Sequence, residues 1–293
     1  MSDSRSENRS GDRLTVRKTY KLFIGGAFPR SESGRSYVVN DGKGEFLANA
    51  SRASRKDVRD AVGAARKAFG GWSGRTPYNR GQILYRIAEM LEGRRAQFVD
   101  ELRGAGLGKG AANAELDAAI DRWVWYAGWA DKLGAVAGSA NPVAGPFFNF
   151  STPEPSGVVG IIAPDSPLLG LVSVVAPAIV SGNTCVVVAS EPAPLAAISF
   201  AEVLATSDLP GGVVNLLTGR RDELAPWLAS HMDVNAIDLA GVTKDQVRGL
   251  EEVAADNLKR VLRPTVTDWS AEPGTVRMTA FLETKTVWHP VGV

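Results

Sequence analysis

Two carboxylates and one thiol are the groups in this sequence that could do chemistry. Asp165 and Glu191 each follow a short apolar run that indicates a buried strand, at 158–162 and 184–188. A carboxylate in such a place can act as a general acid or base, although a solvated loop residue or a helix N-cap is the simpler interpretation of both. Cys185, the only cysteine, lies inside the second of these runs, where a thiol behaves as a small hydrophobic group and not as a nucleophile.

The sequence contains no motif with the residue spacing of a metal-binding site or a phosphate-binding loop. The two histidines, His231 and His289, have no cysteine, aspartate or second histidine at the spacing of metal ligands, so we predict no metal site and favour structural roles for both. Neither a G-x-G-x-x-G nor a G-x-x-x-x-G-K-[ST] phosphate loop is present.

Length and composition indicate a globular protein with a full core. The chain has 293 residues, of which 44% are hydrophobic and 22% charged, and its formal net charge is +1. These values argue against disorder and coiled coil and against long-range attraction of nucleic acid or an anionic membrane. We expect neither a membrane span nor a signal peptide, because no apolar stretch of membrane-spanning length occurs and the first residues lack the apolar stretch of a signal peptide. A single cysteine excludes a disulfide scaffold, and we expect a reducing, cytoplasmic location.

The elements that must position the carboxylates follow from the hydrophobic pattern. In the second half of the chain, fully apolar runs alternate with helical stretches, which indicates βαβ units and a parallel sheet covered on both faces. We therefore predict a doubly wound, Rossmann-like α/β fold. Ligands of such sheets bind beyond the carboxyl ends of the strands. The predicted strands are 158–162, 184–188, 213–217 and 236–239. One predicted helix starts near residue 166, and the others span 193–206, 222–230 and 250–257.

The first half of the chain is predicted to be mainly helical. Residues 20–24, followed by Gly25-Gly26, predict an opening β-hairpin. Helical periodicity then predicts a helix capped by Ser54, a second beginning at Thr76-Pro77, and a third over 114–132. Residues 1–19 are polar without periodicity and are expected to be a disordered leader, whereas residues 143–152 are expected to be extended.

Several segments, in chain order, resemble the aldehyde dehydrogenase superfamily. The resemblance runs from about residue 20 to 262 and resumes over the last twenty residues. It implies a dinucleotide-binding domain over 20–262 and, in the family, NAD(P)-dependent oxidation of aldehydes through a cysteine thiohemiacetal. The matching segments are Lys21-Leu-Phe-Ile-Gly-Gly, Ala64-Ala-Arg-Lys-Ala-Phe, Tyr126-Ala-Gly-Trp-Ala-Asp-Lys, Pro155-Ser-Gly-Val-Val-Gly, Ser181-Gly-Asn-Thr through Ser190-Glu191, Leu209-Pro-Gly-Gly-Val-Val-Asn with Thr218-Gly219, and Phe281-Leu-Glu-Thr-Lys-Thr-Val.

The cofactor site implied by the resemblance is only partly kept. The family's ribose-binding lysine corresponds to Val188, while its glutamate is kept as Glu191. The family's Gly-x-Gly becomes Gly219-Arg220-Arg221, and its F-T-G-S-T becomes Leu239-Ala240-Gly241-Val242-Thr243. The second glycine and the phosphate-binding serine are therefore lost. The resemblance implies a degenerate site formed by Glu191, Gly219, Gly241 and Thr243, in which NAD or NADP binds weakly or not at all.

The catalytic groups of the family have no counterparts at the matching positions. Asp165 replaces the oxyanion-binding asparagine, and a carboxylate there would repel a developing oxyanion. Beyond Leu262 the family continues into E-L-G-G-K, which carries the general base, and later into G-Q-x-C, which carries the thiol. This sequence instead continues with Arg263-Pro264-Thr265. We therefore assign no catalytic residue and interpret 263–275 as a linker that replaces the catalytic domain.

The last segment, 276–293, is predicted to be a C-terminal oligomerisation strand. Its alternating, β-prone residues up to Val291 resemble the family's last strand, which adds to a neighbouring subunit's sheet, and with 143–152 it would form a β-strand oligomerisation arm. Our leading hypothesis is a non-catalytic pseudo-subunit that pairs through 276–291 with a full-length aldehyde dehydrogenase paralogue, as scaffold or regulator. It would resemble the non-catalytic second half of two-domain members.

Two alternatives remain open. The chain could be a subunit of an active aldehyde-oxidising complex that retains a weakened NAD(P) site. It could also bind another anionic ligand through Arg220, Arg221 and Thr243.

Overall fold

A computed structural model describes residues 18–265 and 267–292. They form a five-stranded parallel sheet with helices on both faces, a three-stranded antiparallel sheet and a two-stranded sheet, which confirms the predicted α/β fold. Most of the predicted leader lies outside the described residues. Lys18, however, is held in place, because its Nζ donates to Ser199 Oγ at 2.6 Å and lies 3.0 Å from a Glu202 carboxylate oxygen.

The N-terminal β structure differs from the prediction. The hairpin expected at residues 20–28 is present in short form, because Ile24 and Ala27 exchange two backbone hydrogen bonds around Gly25-Gly26 and the Leu22 amide donates to the Pro29 carbonyl at 3.1 Å. Phe23 exchanges two more with Leu216, so this segment also adds to the edge of the parallel sheet. The sequence pattern did not predict strands β1 (Ser36–Asn40) and β2 (Phe46–Ser51), which pair antiparallel.

The helices of the first half begin largely where the capping residues indicate. Helix α1 (Arg55–Ser73) follows Ser54, whose hydroxyl and amide exchange hydrogen bonds with Asp57 in a capping box. Helix α2 (Pro77–Glu92) follows the cap Thr76. Helix α3 (Arg95–Gly104) was not predicted because it lacks a side-chain cap and buries only Phe98 and Leu102. The remaining helices here are α4 (Lys109–Trp129) and α5 (Leu133–Ala137).

The parallel sheet has the strand order β7-β6-β5-β8-β9. Strands β5 (Val158–Ile162) and β6 (Thr184–Val188) have the predicted bounds and are buried throughout, as expected for strands covered on both faces. The others are β7 (Val214–Leu217), β8 (Ala236–Asp238) and β9 (Arg260–Leu262). The crossover helices are α6 (Leu169–Val180), α7 (Leu195–Ala205), α8 (Arg221–Ser230) and α9 (Lys244–Ala254), the last followed by a 3₁₀ turn, Ala255–Asn257.

Two apolar clusters form the core on either face of this sheet. Helices α2, α4, α6 and α7 contribute to the larger cluster, and α1, α8 and α9 contribute to the other. Helix α6 is buried along its whole length because it lies between the sheet and the α2–α4 layer. This packing fixes the carboxyl ends of the strands, from which the loops of the candidate site emerge.

The antiparallel sheet has the order β10-β4-β3. Strand β4 (Phe147–Pro155) covers most of the extended segment predicted at 143–152, and β3 (Ser139–Asn141) lies beside it. The sequence predicts a strand from residue 276, and this prediction is wrong for residues 276–280. Residues Val276–Ala280 form helix α10, because Met278 and Phe281 turn into the main core there. Strand β10 (Leu282–Pro290) then pairs with β4 of the same chain over its full length.

Candidate functional site

The loops after β5, β6, β7 and β8 meet in a cleft of about 800 Å³ at the carboxyl edge of the parallel sheet. Asp165, Glu191 and Thr243 all line it, as the strand order predicted. Arg220 and Arg221 complete the group from the start of α8. The sequence therefore identified the location of the cleft.

Arg221 crosses the cleft to Asp165. The Arg221 guanidinium forms an ion pair with the Asp165 carboxylate, which also accepts a hydrogen bond from Ser190 Oγ at 3.1 Å. The Arg221 side chain is largely buried, and its Nε has no hydrogen-bond partner among the described residues. Asp165, which the resemblance aligns with an oxyanion-binding asparagine, thus accepts hydrogen bonds from a guanidinium and a hydroxyl.

Glu191 is held by two donors from the same helix start. Its carboxylate accepts from Arg220 Nη1 at 2.5 Å and from the Arg221 backbone amide at 3.0 Å. Partial burial raises the pKa of Glu191, but these two donors lower the pKa by more than burial raises it. The carboxyl therefore titrates below its usual range. The Arg220 guanidinium also lies 5.7 Å from the Tyr37 ring centroid. Both arginines of the predicted anion site are therefore already paired with carboxylates.

The two predicted cofactor glycines have clear packing roles. Gly219 has a positive φ of 155°, and a Cβ there would lie 3.0 Å from Leu224 Cδ1 and 3.2 Å from the Ala53 amide nitrogen. Gly241 donates its amide to the Ile162 carbonyl at 2.8 Å, and a Cβ on it would lie 2.0 Å from the Ala163 oxygen. Close backbone approach between the β5 and β8 loops thus accounts for Gly241 without a ligand.

Thr243 is the N-cap of α9, but its hydroxyl does not cap the helix. It donates to Gln246 Oε1 at 3.0 Å, and Gln246 Nε2 donates to Asp222 Oδ1 at 2.7 Å. This chain of hydrogen bonds links the starts of α9 and α8 and occupies the hydroxyl of Thr243, which the resemblance places in the cofactor site.

The lining residues missed by sequence reasoning include Tyr37, Asp41, Asp222 and Gln246. The first two come from β1 and the turn after it, elements that the hydrophobic pattern did not reveal. Asp222 could have been found, because an acidic residue in the first turn of a helix is a favoured position. With it, the cleft contains four carboxylates, Asp41, Asp165, Glu191 and Asp222, against two guanidinium groups.

The single cysteine is buried, and the described residues contain no cluster of metal ligands. Burial raises the pKa of the Cys185 thiol, which lies inside β6 and has no solvent access. No group of three or more histidine, cysteine, aspartate or glutamate side chains in residues 18–265 and 267–292 could hold a metal ion. In the same ranges, no helix combines the length and hydrophobicity needed to cross a membrane.

Comparison with known proteins places these observations in a family. The model of the aldehyde dehydrogenase family matches residues 28–263. Cytosolic aldehyde dehydrogenase 1 of Elephantulus edwardii is 35% identical over 249 residues, which cover 82% of this chain and 49% of that protein. Cytosolic 10-formyltetrahydrofolate dehydrogenase of Xenopus tropicalis is 33% identical over 258 residues, or 85% of this chain and 28% of that protein.

Solved structures agree with the sequence relatives. The NAD⁺ complex of an aldehyde dehydrogenase from Bacillus cereus superposes with a TM-score of 0.78 at 26% identity, covering 83% of this chain and 50% of that one. This chain thus spans about half the length of the aldehyde dehydrogenases it matches. Because the family model covers most of the sequence and the parallel-sheet fold is shared, the chain belongs to the aldehyde dehydrogenase family.

Proposed function

We propose that this chain is a non-catalytic, aldehyde dehydrogenase-like subunit that assembles with a full-length NAD(P)-dependent aldehyde dehydrogenase. The observation that carries the proposal is the direct connection from β9 to α10 through residues 263–275. The resemblance places the family's general base and thiol beyond the position of Leu262. In this chain the backbone instead returns to the core at α10, without passing through such a domain.

The electrostatics of the cleft support a loss of cofactor binding. A dinucleotide pyrophosphate carries negative charge, and in this cleft it would meet four carboxylates. The two arginines of the cleft are already neutralised by ion pairs with Glu191 and Asp165. To bind the pyrophosphate, either arginine would have to leave Asp165 or Glu191 and expose that carboxylate to the ligand. Weak NAD or NADP binding, or none, follows from this arrangement.

The antiparallel sheet supports the proposed mode of assembly. Strand β10 pairs with β4 on one side and is the edge of its sheet among the described residues. Phe147 and Trp288 form an exposed edge-to-face pair near the end of this strand. An edge strand with exposed aromatic residues is a surface to which a strand of another subunit can add. We propose 276–291 as the contact segment, within a cytoplasmic complex.

A second candidate is a subunit of an active aldehyde-oxidising complex with a weakened NAD(P) site. It is favoured by Glu191 and Thr243, two residues of the predicted cofactor site that both line the cleft. Titration calorimetry with NAD and NADP distinguishes the two candidates. Heat of binding at cofactor concentrations of about 1 mM or below supports this candidate, whereas its absence supports the non-catalytic subunit.

Coexpression tests the assembly. The tagged chain is coexpressed with a full-length aldehyde dehydrogenase from the same organism, and the purified material is examined by size-exclusion chromatography with light scattering. We expect a hetero-oligomer, and Trp288→Ala should weaken it by about tenfold or more, as for other interface aromatics. Tyr85→Ala is the matched control, because Tyr85 is an equally exposed aromatic on α2. A stable homo-oligomer that ignores the partner would overturn the proposal.

A further inference from the structure

Residues 267–281, which we call the strap, run from the loop after β9 to the start of β10. The strap passes over α4 and α6 before it forms α10. Two buried charges of the core lie beneath it, Arg122 of α4 and Asp238 at the end of β8. Both charges are bound by groups of the strap.

Arg122 is a buried guanidinium whose hydrogen bonds are mostly to the strap. Its Nη2 donates to the carbonyl oxygens of Trp269 at 2.8 Å and Ala271 at 2.9 Å, and its Nη1 donates to Ser173 Oγ at 2.9 Å. No carboxylate pairs with Arg122 within the described ranges. A buried cation without such bonds is strongly unfavourable, so the two strap carbonyls supply most of its compensation.

Asp238 is fully buried and is paired with the strap at its other end. The Arg277 guanidinium of α10 forms an ion pair with its carboxylate, which also accepts the Ala240 amide at 3.0 Å. The Arg277 guanidinium in turn lies 5.3 Å from the Trp269 ring centroid. The ion pair therefore joins the end of a central strand to the short helix that precedes β10.

The end of the strap is bound by apolar burial and by backbone bonds. Met278 and Phe281 are buried in the larger core cluster. The Phe281 carbonyl accepts Asn183 Nδ2 at 2.9 Å and the Ser156 amide at 3.1 Å. The next residue, Leu282, pairs with Pro155, the first step of the β10–β4 ladder. The anchoring of α10 thus determines where the ladder begins.

We propose that the strap is a locking element that holds β10 in register on β4, with Arg122 and the Asp238–Arg277 pair as its two locks. When the second lock is broken, α10 separates from the core, and the β10–β4 ladder opens while the parallel sheet stays intact. This inference concerns the chain alone and does not depend on the proposed partner.

Hydrogen exchange measured by mass spectrometry on the isolated full chain tests the proposal. Arg277→Met should speed exchange in 276–290 by about tenfold or more, while β5 and β6 keep their protection. The double variant with Asp238→Asn should restore most of the protection, because no charge is then left unpaired. Arg263→Gln is the matched control, since Arg263 is an exposed arginine that pairs with Glu251 outside the strap.

Two results would overturn the proposal. One is unchanged exchange in 276–290 in Arg277→Met, and the other is an equal increase in β5 and β6, which would mean that the pair stabilises the whole fold. If Arg277→Met does not fold, Arg277→Lys decides the matter, because it keeps a cation near Asp238 but loses the guanidinium that pairs with Asp238 and lies beside Trp269. Faster exchange confined to the strap and β10 supports the lock, and no local change contradicts it.

Discussion

The Arg221 guanidinium pairs with the Asp165 carboxylate across the cleft, and this contact ties the start of α8 to the loop after β5. Each residue alone would change the chemistry of the site, one by adding a cation and the other by adding an anion. Together their charges cancel. The two arginines that line the cleft are thus paired with carboxylates of the same cleft.

Neutralising Asp165 should make the cleft more receptive to a dinucleotide. Asp165→Asn removes one negative charge and frees Arg221, which is worth about 1 kcal/mol, or roughly fivefold in affinity, towards a nearby phosphate in a solvated site. NADH fluorescence titration of both proteins measures the change. Asp60→Asn, an exposed acid on α1, is the control, and a variant that binds no tighter than the parent would show that the ion pair does not limit binding.

Gly241→Ala should destabilise the fold strongly. The added Cβ would lie 2.0 Å from the Ala163 oxygen, so the loops after β5 and β8 must separate, at a cost of about 3 kcal/mol. Urea denaturation measures the free energy of unfolding. Gly63→Ala in α1 serves as the contrast, because a Cβ there meets open space and should stabilise the helix by about 0.5–1 kcal/mol. Equal effects of the two substitutions would refute the packing role.

The buried ion pair should show strong coupling but little net stabilisation. Arg277→Met leaves Asp238 buried without its cation and should lower the free energy of local opening of the strap and β10, measured by hydrogen exchange, by about 3 kcal/mol or more. Burial raises the pKa of Asp238 more than Arg277 lowers it, so the attraction of Arg277 does not fully offset the desolvation of the carboxylate. We therefore expect the local opening free energy of the Asp238→Asn, Arg277→Met double variant to lie within about 2 kcal/mol of the parent's. Additive losses in the double-mutant cycle would contradict this coupling.

The Glu191 contacts should appear in the acid stability of the chain. Because the folded-state pKa of Glu191 is lowered below its usual value, the contribution of Glu191 to stability is present above that usual value and is lost as the pH falls through the folded-state pKa. Chemical denaturation between about pH 6 and pH 3 should show a smaller loss of stability for Glu191→Gln than for the parent. Identical acid profiles would mean that Arg220 and the Arg221 amide do not favour the ionised form.

Caps and continuous apolar runs were the strongest sequence signals in this protein. Ser54 and Thr76 mark their helices because side-chain oxygens there satisfy free backbone amides, a local effect that needs no tertiary contact. The bounds of β5 and β6 followed from composition, because strands buried on both faces are apolar throughout. The strand order then placed Asp165 and Glu191 at one cleft.

Local sequence was not sufficient where distant partners decide the structure. Phe23 joins the sheet through Leu216, and residues 276–280 become helical because Met278 and Phe281 find room in a core formed by earlier elements. The sequence also did not predict that Arg221 pairs with Asp165 and that Arg277 pairs with Asp238. Sequence alone determined the family, the parallel sheet and the location of the cleft, since these depend on patterns within each element. Tertiary structure decided which charges are neutralised and where the last strand is anchored, because those outcomes depend on distances between residues far apart in the chain.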